Sequence, residues 1–317
     1  MRLKDVWYLI KQTASEWMED RAMSLAASLS LYTLLSLAPV IVLAVSVAGL
    51  VFGEEAARGE VAHQLHSVMG AQASEAIQSV LAGASAPRKG ILGTIVAVVI
   101  LLVGASGVFS ELQDTMNIVW NVKVKSGRGV LGFVRDRFFS FAMVLGVAFL
   151  LLVSLVLSAG LTAAGTYLGS HLPGGEVFWQ IANFIISFLI VACLFGLIFK
   201  VVPDAKIQFR DVWHGALVTA FLFALGKLAI GYYLGKTAPG SAYGAAGSLV
   251  ALIVWVYYSA QILFFGAEFT QVYAKKYGSG IVPTKNAVAV ESEANEPTDA
   301  KSDPKVVPSP APASSQA

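Results

Sequence analysis

The sequence predicts an all-α polytopic integral membrane protein, a bundle of six transmembrane helices with an N-terminal interfacial helix. Three observations carry this. Of 317 residues, 56% are hydrophobic and 13% charged, where a soluble domain carries about a quarter charged residues. The mean hydropathy is +0.69. The apolar residues also gather in six blocks, roughly 24–52, 91–118, 138–165, 177–199, 212–235 and 246–272. Each is long enough for the ~20 residues of helix that cross a bilayer. A closed β-barrel would show alternating segments of ~10 residues instead.

Residues 1–23 form the first element. Leu3, Val6, Trp7, Ile10, Ala14 and Trp17 share one helical face, and Lys4, Asp5, Lys11, Gln12, Glu16 and Glu19 the other. This pattern fits a helix lying in the plane of the inner leaflet. The segment is too polar for a cleaved signal peptide. The transmembrane domain follows over 24–280, with one long external loop at 53–89. In that loop Val61, Leu65 and Val68, and then Ala73, Ile77 and Val80, repeat at helical spacing, so two short amphipathic helices are expected. From 281 to 317 the chain turns to Pro, Ser, Ala and Glu. Such a tail is expected to be disordered and cytoplasmic, because it has too little apolar surface to bury.

Basic residues orient the bundle. Fourteen Lys and Arg fall on the side of both termini and of loops 2–3 and 4–5, against four on the other side. The excess marks the cytoplasmic face, so a multi-pass inner-membrane protein with both termini inside is expected. The net charge of +2 does not suggest a nucleic-acid partner. The single cysteine, Cys193, cannot form an intrachain disulfide.

Polar side chains recur at helical spacing inside the apolar blocks. Helix 2 carries Ser106, Ser110, Gln113 and Asn117; helix 3 carries Ser154, Ser158 and Thr162; helix 4 offers Asn183 and Ser187. Helix 6 carries Tyr257, Gln261, Glu268 and Gln271 on one face. Such stripes face protein or water rather than lipid. They fit either interhelical hydrogen bonding or a polar path between helices. Glu111 and Glu268 both lie ~30 Å from the outer ends of their helices, near the inner edge of the hydrocarbon. There Glu268 can pair with a basic residue or serve a substrate or proton. Lys227 lies ~10 Å from the outer end of helix 5 and either snorkels outward or faces an internal cavity. Pro39, in SLAPVIV, is expected to kink helix 1.

Catalytic signatures are nearly absent. There is no HExxH, GxxxxGK[ST], GxSxG or cysteine pair. His63 and His66, with Glu60 one turn earlier, make a weak metal motif. No enzyme activity, metal or cofactor is expected.

Three stretches carry a family resemblance: SLSLYTLLSLAPVIVLAVSVAGLVFG in helix 1, ELQDTMNIVWNV after helix 2, and KVVPDAKIQFRDVWHGALVTAFLFALGKLAIGYYLG through helix 5. Together with YGAAGSLVALIVWVYYSAQILFFGAEFTQVYA in helix 6, they resemble the YihY/BrkB family of bacterial inner-membrane proteins over residues 1–278. The resemblance implies a transport-like role or the handling of envelope lipids. It picks out Pro39, Asn117, Lys227, Tyr257 and Glu268 as positions where the family has the same residue types. It also carries an older label, a tRNA-processing ribonuclease. The residues oppose that label, because metal-dependent hydrolysis needs clustered His and carboxylate ligands.

The leading expectation is a protein that moves an amphipathic or lipidic envelope molecule. Its substrate path would run along Glu111, Gln113, Asn117, Asn183, Lys227, Tyr257, Gln261 and Glu268. An ion-coupled carrier of a small solute and a membrane scaffold are the alternatives. Expected partners are membrane lipids, a lipidic substrate, and a second copy of the chain or an envelope protein.

Overall fold

The structure, a computed structural model, describes residues 3–53, 107–125, 175–237 and 247–290, with residues 55, 59, 66 and 74–79 of the loop at 53–89. The helices are α1 (Leu3–Glu19), α2 (Ala22–Phe52), α3 (residues 107–119), α4 (Gly175–Val201), α5 (Phe209–Thr237) and α6 (Gly247–Lys276). Among the described residues, three stretches are long and apolar enough to cross a membrane: Phe184–Val201, Phe209–Tyr232 and Gly247–Lys276. The described part of α2 adds a shorter apolar stretch, Ala22–Leu37. The expected spans at 138–165 and across most of 91–118 lie outside the described residues. The observed helices run a few residues past the apolar blocks at most of their ends, since backbone hydrogen bonding continues where the side chains become polar.

Arg21 breaks the chain between α1 and α2 with a left-handed backbone, φ 53° and ψ 40°. This conformation costs a non-glycine residue roughly 1–2 kcal/mol, and it lets α1 turn off the axis of α2. Helix α1 then packs on α6 with Leu9 and Thr13 buried, while Val6, Trp7 and Ile10 are exposed. Trp7 is 69% exposed. Its apolar residues are thus divided: Val6, Trp7 and Ile10 point away from the protein, while Leu9 and half-buried Trp17 pack against it.

The core gathers at one end of the helices. Met116, Trp120, Phe199 and Phe264 supply its bulk, and Ala192, Ala216, Ala220, Ala260 and Ala267 let the helices approach. Lipid gives no hydrophobic drive between helices, so small residues and close fit must do this work. Helices α5 and α6 show it directly. A methyl group on Gly215 would collide with Thr270, and one on Gly266 would collide with Thr219.

Four short strands modify the all-α expectation. β1 (Val122–Val124) pairs antiparallel with β4 (Ala287–Ala289), and β2 (Ala205–Lys206) with β3 (Val282–Pro283). Residues 282–289, assigned from sequence to the disordered tail, are thus stitched to the turns after α3 and α4. Composition does not reveal this, because two-residue ladders draw on backbone groups rather than side chains. Asp211 adds an anchor by accepting bonds from the Ser279 N–H at 2.9 Å and its hydroxyl at 3.0 Å. Residues 291–317 lie outside the described residues. In the loop expected to be external, residues 74–79 are helical with Ala76 and Ile77 buried, as the spacing predicts. Val61, Leu65 and Val68 lie outside the described residues.

Candidate functional site

Helix α6 divides its faces by residue type. Gly266 and Thr270 meet α5, whereas Glu268, Gln271 and Lys275 lie on the opposite arc at helical spacing. Glu268 and Gln271 are both fully buried. Opposite them, Thr13, Trp17 and Asp20 lie on the inward side of α1 at intervals of four and three. The carboxyl groups of Asp20 and Glu268 come within hydrogen-bonding range of each other. Glu16 and Lys275 lie near enough to act on both. Burial holds the Asp20 carboxyl above its ordinary value, and Glu16 and Glu19 push the same way.

Among the described residues, several polar atoms here have no hydrogen-bond partner. They are both oxygens of Glu268, both amide atoms of Gln271, Oγ1 of Thr13, Nε1 of Trp17 and Oδ2 of Asp20. Among the described residues, Glu268 meets another carboxyl group, that of Asp20, and Lys275 is the basic residue near enough to act on it. Arg135 and Arg137, basic residues at the start of the apolar block at 138–165, lie outside the described residues. Beyond the site, the Lys276 ammonium sits 3.0 Å from the centroid of the Tyr8 ring and ties α1 to the end of α6.

Two other expected path residues form a joint rather than a path. The Asn117 amide donates to Asp204 Oδ2 at 3.2 Å, and its carbonyl oxygen accepts from the Asp204 N–H at 2.7 Å. Gln113 donates to the same carboxylate oxygen at 3.1 Å. Asn117 is buried, so α3 is pinned to the turn that follows α4. Many hydroxyls are equally local. Thr33 bonds the Leu29 carbonyl at 2.7 Å, Thr219 that of Gly215 at 2.7 Å and Thr270 that of Gly266 at 2.6 Å. These groups satisfy themselves within their own helices.

The remaining candidates scatter. Tyr257 packs half-buried against the core, and Gln261 and Glu111 are also half-buried. Lys227 is exposed, at a shallow cleft between α5 and α6 lined also by Phe223, Gly226, Trp255, Tyr258 and Ser259. It is not enclosed in the bundle. Helix assignment continues through Pro39 and Asn183, whose side chains lie outside the described residues. No group of three or more His, Cys, Asp or Glu able to hold a metal occurs among the described residues. Sequence reasoning missed Thr13, Trp17 and Asp20. Thr13 and Asp20 share a face with Glu16, and that face reads as solvated until α6 covers it. Asp204 was also missed, having no signal beyond its place after a proline.

Comparison with known proteins sets these residues in a context. A family model described as virulence factor BrkB matches residues 13–291. A UPF0761 membrane protein of Verminephrobacter eiseniae is 29% identical over 279 residues, 83% of this chain and 62% of that protein. One from Aeromonas salmonicida is 30% identical over 272 residues, 81% of this chain and 85% of that protein. A third, from Chromobacterium violaceum, is 28% identical over 253 residues, and the match spans 58% of its length. The chain thus spans under two thirds of the first and third of these relatives. No solved structure matches.

Proposed function

The chain belongs to the BrkB family of membrane proteins, and from that premise we propose that it moves or handles an amphipathic or lipidic molecule of the bacterial envelope. We place it in the inner membrane with both termini cytoplasmic. The observation that carries the reading is Lys227. Lys227 is exposed at the α5–α6 cleft that Tyr258 and Ser259 also line, and α5 exposes Phe221, Leu225, Leu228 and Tyr232 on a separate face. A cation on a helix that also exposes apolar side chains suits a molecule with an anionic headgroup and apolar chains: the lysine meets the charge while the chains stay in lipid. The topology draws support from the strand pairs. They bring residues 122–124, 205–206 and 282–289 together, so these segments share one side of any membrane the helices cross.

An ion-coupled carrier of a small solute is the second reading, favoured by the unpartnered carboxyl pair of Asp20 and Glu268. Reconstitution into liposomes separates the two, with fluorescent anionic lipid and ion flux measured side by side. The proposed function predicts lipid movement that Lys227→Met reduces at least about tenfold, the effect of losing ~1.4 kcal/mol of headgroup binding. Full lipid movement by Lys227→Met refutes the role of the cleft. Ion flux without lipid movement refutes the proposed function.

A further inference from the structure

We propose that Asp20 and Glu268 form a proton-binding site that holds α1 against the transmembrane bundle through one shared proton. The Asp20 and Glu268 carboxyl groups are brought together where α1 packs on α6, yet among the described residues Oδ2 of Asp20 and both oxygens of Glu268 have no hydrogen-bond partner. Two carboxylates stripped of protons have no donor to offer each other. One proton resolves the conflict, since it turns the contact into an O–H···O bond and removes one of two adjacent like charges. Fully buried Glu268 is in no position to carry an unpaired charge otherwise.

The surroundings suit a proton. From α1, Glu16 and Asp20 act on Glu268, and Glu19 acts on Asp20; from α6 itself, Lys275 acts on both carboxyls. Helix α2 has no ionisable residue other than Tyr32 in Ala22–Leu37. Helix α5 meets this stretch of α6 with Gly215 and Thr219. Among the described residues, one lysine therefore faces three or more carboxyls. A metal ion would need a further ligand group, and none is assembled among the described residues. The Thr13 hydroxyl, Gln271 amide and Trp17 indole N–H, unpartnered among the described residues, add hydrogen-bonding groups on the same two helices. The site does not depend on what the protein carries.

The linkage has a definite sign. A pair that keeps its proton in the folded protein binds more protons than the unfolded chain above about pH 4. Its stabilisation is present at low pH and is lost as pH rises through the folded pair's titration.

The test uses the full-length protein in detergent. Infrared spectroscopy is expected to show a protonated-carboxyl band in the wild type at about pH 7 that disappears at higher pH. Glu268→Gln is expected to lose the band, and Asp20→Asn to shift it, because its hydrogen-bond partner changes. The melting temperature of the wild type falls as pH rises from about 6 to about 10, and Glu268→Gln flattens that slope. If Glu268→Gln does not fold, the band shift in Asp20→Asn decides alone. No band in the wild type, or a band identical in the variants, overturns the site. So does a melting temperature set by sodium concentration at fixed pH, which would make the occupant a metal cation.

Discussion

Replacing Gly215 with alanine tests how α5 and α6 are held together. The new methyl carbon would overlap Thr270 Oγ1 and lie 2.7 Å from its Cβ and 3.0 Å from its Cγ2. Ordinary contact begins at 3.4 Å, so even with the hydroxyl rotated away the helices must separate locally by roughly 0.7 Å. Overpacking of this kind costs about 1–3 kcal/mol. At about 2–4 °C per kcal/mol, the melting temperature in detergent should fall by roughly 2–12 °C. The partner residue offers a sharper check. Thr270→Ser retains Cβ and should leave most of the penalty in place. Thr270→Gly removes the obstructing carbon, at a helix cost of ~1 kcal/mol. In that background Gly215→Ala should cost under about 0.5 kcal/mol, a coupling that a double-mutant cycle measures. Gly266→Ala against Thr219 should behave alike, with a methyl carbon 2.8 Å from Cβ. Combining both alanines should cost less than their sum, because one separation relieves both overlaps. An unchanged melting temperature in Gly215→Ala would refute this packing. Rescue by Thr270→Ser as complete as that by Thr270→Gly would refute it equally.

Asn117→Ala removes one donor and one acceptor from the Asp204 joint and leaves a buried gap. It should cost roughly 1–3 kcal/mol, read as a lower melting temperature with α3 the first segment to exchange amide hydrogens. Truncation after residue 290 should leave the melting temperature unchanged, whereas truncation after residue 280 removes both strand pairs and should lower it; equal effects would show that the strands contribute nothing. Single cysteines in a Cys193→Ser background test the topology. Position 75 should react with an impermeant reagent from outside and position 125 only after permeabilisation, and the reverse pattern would invert the proposed orientation.

Much of the helical architecture was legible because the bilayer imposes a length and a polarity that composition records. The four described helices α2, α4, α5 and α6 follow their apolar blocks closely. The site was only half legible. Glu268 stands out as a charge in an apolar run, but its partner lies nearly 250 residues away in sequence, on a helix whose polar face reads as solvated. Helical periodicity says which residues share a face and not what covers it. Asn117 and Gln113 read as a polar path because a stripe does not announce its partner. Asp204, which turns them into a joint, sits in a loop without periodicity. The strands escaped notice for a related reason: the ladder at Val282–Pro283 and Ala287–Ala289 depends on register with distant backbone.

The strand pairs also set an order of events during synthesis. The ribosome makes β1 and β2 long before β3 and β4, and the edges of β1 and β2 stay open until residues 282–289 emerge. All the helices must therefore be threaded into the membrane before the underside can be fastened. A chain stalled short of residue 282 leaves unpaired backbone at two turns, and one stalled short of residue 279 also lacks the anchor on Asp211. Such a product is inserted but unlatched, and exposed edges of this kind invite pairing with other chains. The final stretch of translation thereby closes both strand pairs, after every described helix has been made.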